Sequence, residues 1–128
     1  MTLKQERGNR GEDIAAAYLI KNKYKIIARN YRKPWGELDI IAQVGDKTLV
    51  FVEVKTIQTS LTYKSNYFIA PEQNMTRDKI RKTERAAIAY ANANPALSHK
   101  GWRIDVIAIE MEGREMGDAY NLRHYENI

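Results

Sequence analysis

Two short runs, GELDIIA at positions 36–42 and LVFVEVK at positions 49–55, decide how this chain folds. Side chains on a strand alternate between faces, so Glu37, Asp39 and Ile41 point one way and Leu38, Ile40 and Ala42 the other. In the second run Leu49, Phe51, Glu53 and Lys55 oppose Val50, Val52 and Val54. Each strand thus has one wholly apolar face and carries charge late on its other face, in a composition suited to the middle of a sheet. The connection around Gly45-Asp46 sets the register. A loop of odd length, Gly45 to Lys47, pairs Val44 with Thr48, sets Asp39 opposite Glu53 and Glu37 opposite Lys55, and gathers all four on one face. A two-residue Gly-Asp turn would slip the pairing by one and put Asp39 beside Val52.

Carboxylates directly opposed on neighbouring strands have Cβ atoms only about 5 Å apart and repel each other unless positive charge lies between them. A divalent cation is one solution. With oxygen ligands and no histidine or cysteine nearby, the donor set suits a hard ion, Mg²⁺ or Mn²⁺, rather than zinc. Such an ion lowers the pKa of a bound water and stabilises charge on a phosphate oxygen. Lys55, on the face of Glu53, is placed to orient or deprotonate that water and to neutralise the transition state. The other solution is structural, with Glu53 and Lys55 as a solvent-facing stripe and Asp39 in a surface pair. The apolar neighbours of Glu53 argue for burial, where an unpaired carboxylate is costly. On spacing alone both readings stay open.

Outward from these strands, residues from Arg7 to Lys23 have a helical stripe of Gly8, Gly11, Ala15 and Leu19 that also contains Glu12. Tyr24 to Tyr31 forms a further strand, and with Glu37 to Val44 and Thr48 to Thr56 it makes an antiparallel meander. Between Ile57 and Glu72 lies a polar stretch without clear period, long enough for a functional loop. A second helix runs from Asn74 to Asn92, stopped by Pro95. Gly101 opens the strand WRIDVIAIEM, and AYNLRHYEN is a final extended run. A strand, a crossover helix and another strand imply a parallel pair, so the sheet is expected to be mixed.

The 128 residues make one domain's worth of chain, 1–128, and the absence of cysteine excludes disulfides and thiolate metal sites. There is no leader-like apolar region and no run approaching the roughly 18 apolar residues of a membrane span, so a soluble, cytoplasmic protein without a membrane partner is expected. Lys plus Arg is 21 against 16 for Asp plus Glu, a net charge of +5 that favours a polyanionic partner. Arg77, Arg81 and Arg85, with Lys82 beside them, form a helical ridge able to track phosphates or, equally, to face solvent. In YRKPWG, Arg32, Lys33 and Trp35 combine cations and an aromatic ring just before Glu37, suiting either an unpaired nucleic-acid strand or a loop anchored on the core by Trp35. His99 and His124 lack metal-ligand spacing, and Arg103 with Asp105 reads as a structural ion pair. Tyr63, Tyr67 and Phe68 leave two roles open, contact with substrate or with the second subunit of a homodimer.

The G-x-x-D of one strand followed by E-x-K on the next resembles the PD-(D/E)XK nuclease superfamily. More closely, the chain resembles the YraN family of small bacterial proteins, related to archaeal-type Holliday-junction resolvases. The matching segments are GNRGEDIAAAYL, RNYR, GELDIIA, LVFVEVK, Lys79 in the second helix, WRIDVI and LRHYEN, in order over nearly the whole chain. The resemblance implies an α/β, restriction-endonuclease-like core in the order αβββαβ, with a central mixed sheet flanked by helices. It also implies metal binding by Asp39, Glu53 and the backbone carbonyl of Val54, with Glu12 as a further acidic residue from the first helix. The implied activity is endonucleolytic cleavage of DNA, with preference for branched or structured substrates. Ile57 and Ile80 depart from the family pattern, which more often has Arg and Gln there, so substrate contacts are less certain to carry over than the metal ligands. The main alternative is a nucleic-acid-binding module that keeps the fold with a vestigial site. An interaction subunit whose basic surface binds protein is the third reading.

Overall fold

A computed structural model describes residues 3–59, 77–112 and 119–128, with side chains for residues 8–57, 78–111 and 119–128. The expected loop from Ile57 onward, with Tyr63, Tyr67 and Phe68, falls almost wholly outside the described residues, as does the side chain of Arg77. The elements are α1 (Leu3–Lys21), β1 (Lys25–Lys33), β2 (Gly36–Gln43), β3 (Leu49–Thr59), α2 (Arg77–Ala93), α3 (Pro95–Ser98), β4 (Trp102–Glu112) and β5 (Tyr120–Tyr125). The strands form one five-stranded sheet in sequential order, antiparallel throughout except for the parallel pair β3 and β4. This is an α/β fold with a mixed sheet, in the expected order αβββαβ followed by β5 at the edge. The short helix α3 departs from expectation: Pro95 does not simply stop the chain's helix but begins a new one, a position where its missing N–H leaves no bond unmade.

The sheet is covered on both faces. Ala15, Ala16 and Leu19 of α1 pack on Ile40, Ala42, Val50, Val52, Ile107 and Ile109. On the opposite side Ala86, Ala87, Tyr90 and Ala91 of α2 pack on Leu38, Ile41, Leu49, Phe51 and Ile104. Burial on both faces accounts for the near-continuous apolar character of β3 and β4. The small residues matter most at two places. A Cβ on Gly11 would collide with the Thr56 hydroxyl of β3, so α1 lies against the sheet there, whereas Gly8 has open space and plays no such part. A Cβ on Gly36 would come within 2.9 Å of both the Lys82 carbonyl and the Ala86 methyl, so the turn before β2 is seated directly on α2.

The β2–β3 connection has the odd-length form. Val44 N–H donates to the Thr48 carbonyl and Lys47 N–H to Val44, with Lys47 at φ 76°. The pairs Gln43–Leu49, Ala42–Val50, Ile41–Phe51 and Ile40–Val52 follow, and this register brings Asp39 to Glu53 next. The ladder stops there. Beyond it β2 continues on β1 alone and β3 on β4 alone, so the two hairpin arms fork. Strict alternation also fails at the fork: Leu38 packs on the α2 side with Ile41, instead of sharing the α1-facing side of Ile40. Asn30, between Arg29 and Tyr31, which pair with Ile40 and Leu38, has φ 54°; asparagine tolerates this left-handed conformation better than most residues.

Candidate active site

Asp39 and Glu53 stand at the crotch of the fork. The Val54 amide, deprived of a carbonyl partner on β2, donates instead to Asp39 Oδ2 at 2.8 Å. The Glu53 side chain is 11% exposed and meets Lys79 Nζ of α2 at 3.2 Å through Oε1. Burial, then the charge of Asp39, push the Glu53 carboxyl up to about 7, only partly countered by Lys79. Burial likewise raises Asp39, with the Val54 amide and Glu53 acting against the shift. Both carboxyls therefore keep a proton more readily than they would in water.

Glu12 reaches the same centre from the other face. Its carboxyl is raised by burial first and by Asp39 second, and its Oε1 is buried without a hydrogen-bond partner. The seating of Gly11 on Thr56 brings this part of α1 onto the sheet. Together, two adjoining carboxyls whose ionisation is opposed by burial and an orphaned carboxylate oxygen nearby mark a local excess of negative potential, the condition a hard cation relieves. Among the described residues, however, no three acidic, imidazole or thiol side chains close up as a metal cluster, so the pair is the nucleus and Glu12 an outer neighbour.

Around the carboxylates lies a cleft of about 450 Å³ lined by Asp39, Glu53, Lys79, Lys82, Thr83 and Arg85, with its other wall formed by the turn from Lys33 to Glu37. Two expectations change here. Glu37 does not stand opposite Lys55, because the strands have parted, and instead pairs with Arg32 at 2.6 Å on the rim. The lysine that touches Glu53 is Lys79, while Lys55 is half-buried and does not line the cleft. Of the basic ridge, Lys82 and Arg85 border the cleft, whereas Arg81 is exposed and not among its lining residues. The alternation that singles out Glu53 cannot reveal Lys79, a contact across tertiary space, and only the family pattern marks it. Nothing local in the sequence marks Thr83, which is buried at 5% exposure and lines the cleft.

Arg103 and Asp105 form the expected structural pair, at 3.0 Å, within a larger network. Asp105 is fully buried and also accepts from His124 Nε2 at 2.7 Å and the Asn127 amide at 2.9 Å. The Tyr18 hydroxyl lies 3.0 Å from His124 Nδ1. Burial works to raise the Asp105 carboxyl, but the bonds from His124, Arg103 and Asn127 together hold it below its ordinary value. This network ties β5 and α1 to β4 on the face away from α2, so neither it nor the surface residue His99 belongs to the cleft.

The fold and site together define an α/β protein with a buried carboxylate pair where the central strands of a mixed sheet part. Over residues 11–109 the sequence matches the model of the family described as "Uncharacterised protein family UPF0102". The chain belongs to this family, the YraN family that its motifs resemble. It is similar to a UPF0102 protein of Geobacter sulfurreducens, 43% identical and aligned over 94% of this chain and 85% of that one. A UPF0102 protein of Pseudothermotoga lettingae is 40% identical over 91% and 92%. Among solved structures, that of Pyrococcus furiosus SfsA in complex with Ca²⁺ aligns with 96% of this chain and 63% of its own, at TM-score 0.42 and 16% identity. No helix among the described residues is long and apolar enough to cross a membrane.

Proposed function

We propose that this chain is a metal-dependent endonuclease that hydrolyses DNA phosphodiester bonds, with branched or structured DNA as its substrate. The observation that carries the reading is the adjoining pair Asp39 and Glu53, buried at the strand fork beside the orphaned oxygen of Glu12. The all-oxygen donor set fits Mg²⁺ or Mn²⁺, which Asp39, Glu53 and the Val54 carbonyl would hold, with Glu12 nearby. When bound, such an ion supplies an activated water and stabilises charge on the phosphate. The chain's own residues do the rest. Lys79, Lys82 and Arg85 hold the phosphates above the carboxylates, Lys33 and Arg32 extend the cationic surface along the rim, and Lys79 rather than Lys55 is the cation set against Glu53.

A second reading, a nucleic-acid-binding module with a vestigial site, draws on the Lys79–Glu53 ion pair, which already neutralises one carboxylate. Calorimetric titration of Mn²⁺ into wild type and Glu53→Gln, alongside cleavage assays on linear, flapped and four-way DNA, separates the two. The endonuclease reading requires heat of binding that Glu53→Gln abolishes and cutting that Asp39→Asn abolishes. Salt-sensitive DNA binding without either would establish the binding module, and cutting undiminished in both variants would sink the assigned site.

A further inference from the structure

Trp35 is the large aromatic side chain among the residues lining the carboxylate cleft. Its side chain is not spent on the interior: the residue is 45% exposed and joins neither core cluster. Other exposed aromatics are accounted for differently. Trp102 stacks edge-on against Phe51 at 5.6 Å, and Tyr120 borders a separate groove beside α1. The backbone beneath Trp35 is held firmly even though its ring is not. Pro34 fixes φ on one side, and Gly36 is wedged against the Lys82 carbonyl and Ala86 on the other. The indole is thus presented by a docked turn at the rim of the cleft, flanked by Lys33, Lys82 and Arg85.

Cations beside an anchored, solvent-facing ring match the chemistry of an unpaired nucleotide, whose phosphate takes the cations and whose base takes the π-face. A base pair inside a duplex has both faces occupied by its neighbours and cannot use the ring without being unstacked. We propose that Trp35 is a stacking platform for an unpaired nucleobase next to the phosphate held over Asp39 and Glu53, so that the site selects single-stranded or splayed strands over continuous duplex. This rests on reading the cleft as a nucleic-acid site, and it adds which structural class of nucleic acid the cleft takes.

The test uses the full chain carrying Asp39→Asn to prevent cutting and Trp102→Phe to leave Trp35 as the sole indole. A single-stranded oligonucleotide of mixed sequence and the matching duplex are titrated at low salt in chelator. Stacking predicts that the single strand quenches Trp35 emission and the duplex does not. On the same Asp39→Asn background, Trp35→Ala weakens single-strand affinity about tenfold, Trp35→Phe about threefold or less, and neither alters duplex affinity more than about twofold. Equal losses for both substrates, or no loss in Trp35→Ala with its melting curve unchanged, overturn the stacking role. So does the absence of any oligonucleotide binding. The endonuclease reading is judged separately in the Asp39-intact chain: stacking without metal-dependent cutting removes that reading alone, and cutting indifferent to Trp35→Ala removes stacking alone.

Discussion

Replacing Glu53 by Gln should stabilise the folded chain while removing its capacity for metal, and the size of the gain follows from the site. The Glu53 carboxyl moves from an ordinary 4.5 to about 7 in the folded protein, because it is buried beside Asp39. Well below 4.5 it is protonated whether the chain is folded or not, and contributes nothing. As pH rises from 4.5 through about 7, the folded protein retains a proton that the unfolded chain has released, so stability falls. The full interval corresponds to a loss of about 3 kcal/mol. Gln keeps the shape without the charge, so the variant escapes this loss, and Lys79, being partly exposed, can be solvated when its partner is gone. Thermal melts in chelator should show wild type and Glu53→Gln nearly matched at about pH 4, with the variant ahead by about 3 kcal/mol, or about 10 °C, at about pH 9. Adding Mn²⁺ at about 100 times its Kd should return about 2.7 kcal/mol to wild type at the higher pH and nothing to the variant. Ionisable groups other than Asp39 and Lys79, which act on Glu53 directly, are common to both proteins and largely cancel in the difference. Parallel pH profiles for the two would refute the placement of Glu53 in a buried acidic pair, whatever the enzymology showed.

Two further perturbations probe the frame around the site. Asp105→Ala strips the shared acceptor from Arg103, His124 and the Asn127 amide and should cost about 3–5 kcal/mol in urea unfolding. Because the Asp105 carboxyl is held below its ordinary 3.8, that deficit should be complete above this value and shrink as pH falls through the lower folded one; an undiminished deficit in acid would count against the network. Gly11→Ala drives a methyl into the Thr56 hydroxyl and should cost about 1–3 kcal/mol, and adding Thr56→Ala should recover part of it. Strict additivity of the two changes would show that α1 does not touch β3 there.

The fold was readable where local rules and tertiary context agree. Apolar faces on β2 and β3 lead to the Asp39–Glu53 register only if the connecting loop has odd length, a choice that parity leaves open and that the Val44–Thr48 pairing makes. The same parity rule misplaces Leu38 and Glu37, because it assumes a strand with one partner ladder throughout, whereas β2 loses β3 beyond Ile40 and follows β1 instead. Helix α3 has no distinct mark in the sequence, because Pro95 serves equally as a stop and as a first helical residue. Lys79 and Thr83 reach the cleft from α2, more than twenty residues after Glu53, and no periodicity within either segment encodes that approach.

The fork also explains why charge sits in strands otherwise built for burial. Where two strands separate, an amide on the inner one loses its ladder partner and must find another acceptor. At Val54 that acceptor is Asp39 Oδ2. Asp39 therefore has a structural duty on one oxygen, while the residue also lines the cleft together with Glu53. The two duties separate by chemistry. Asn retains a carbonyl oxygen for the Val54 amide and loses the charge, whereas Ala loses both and leaves a buried donor unpaired at the crotch of the sheet. A functional defect in Asp39→Ala would therefore mix a deformed fork with a missing ligand, and Asp39→Asn isolates the ligand. The same reasoning ties site to fold in the opposite direction. The strand separation opens a cleft over the sheet, and the side chain that repairs the broken ladder contributes half of the carboxylate pair.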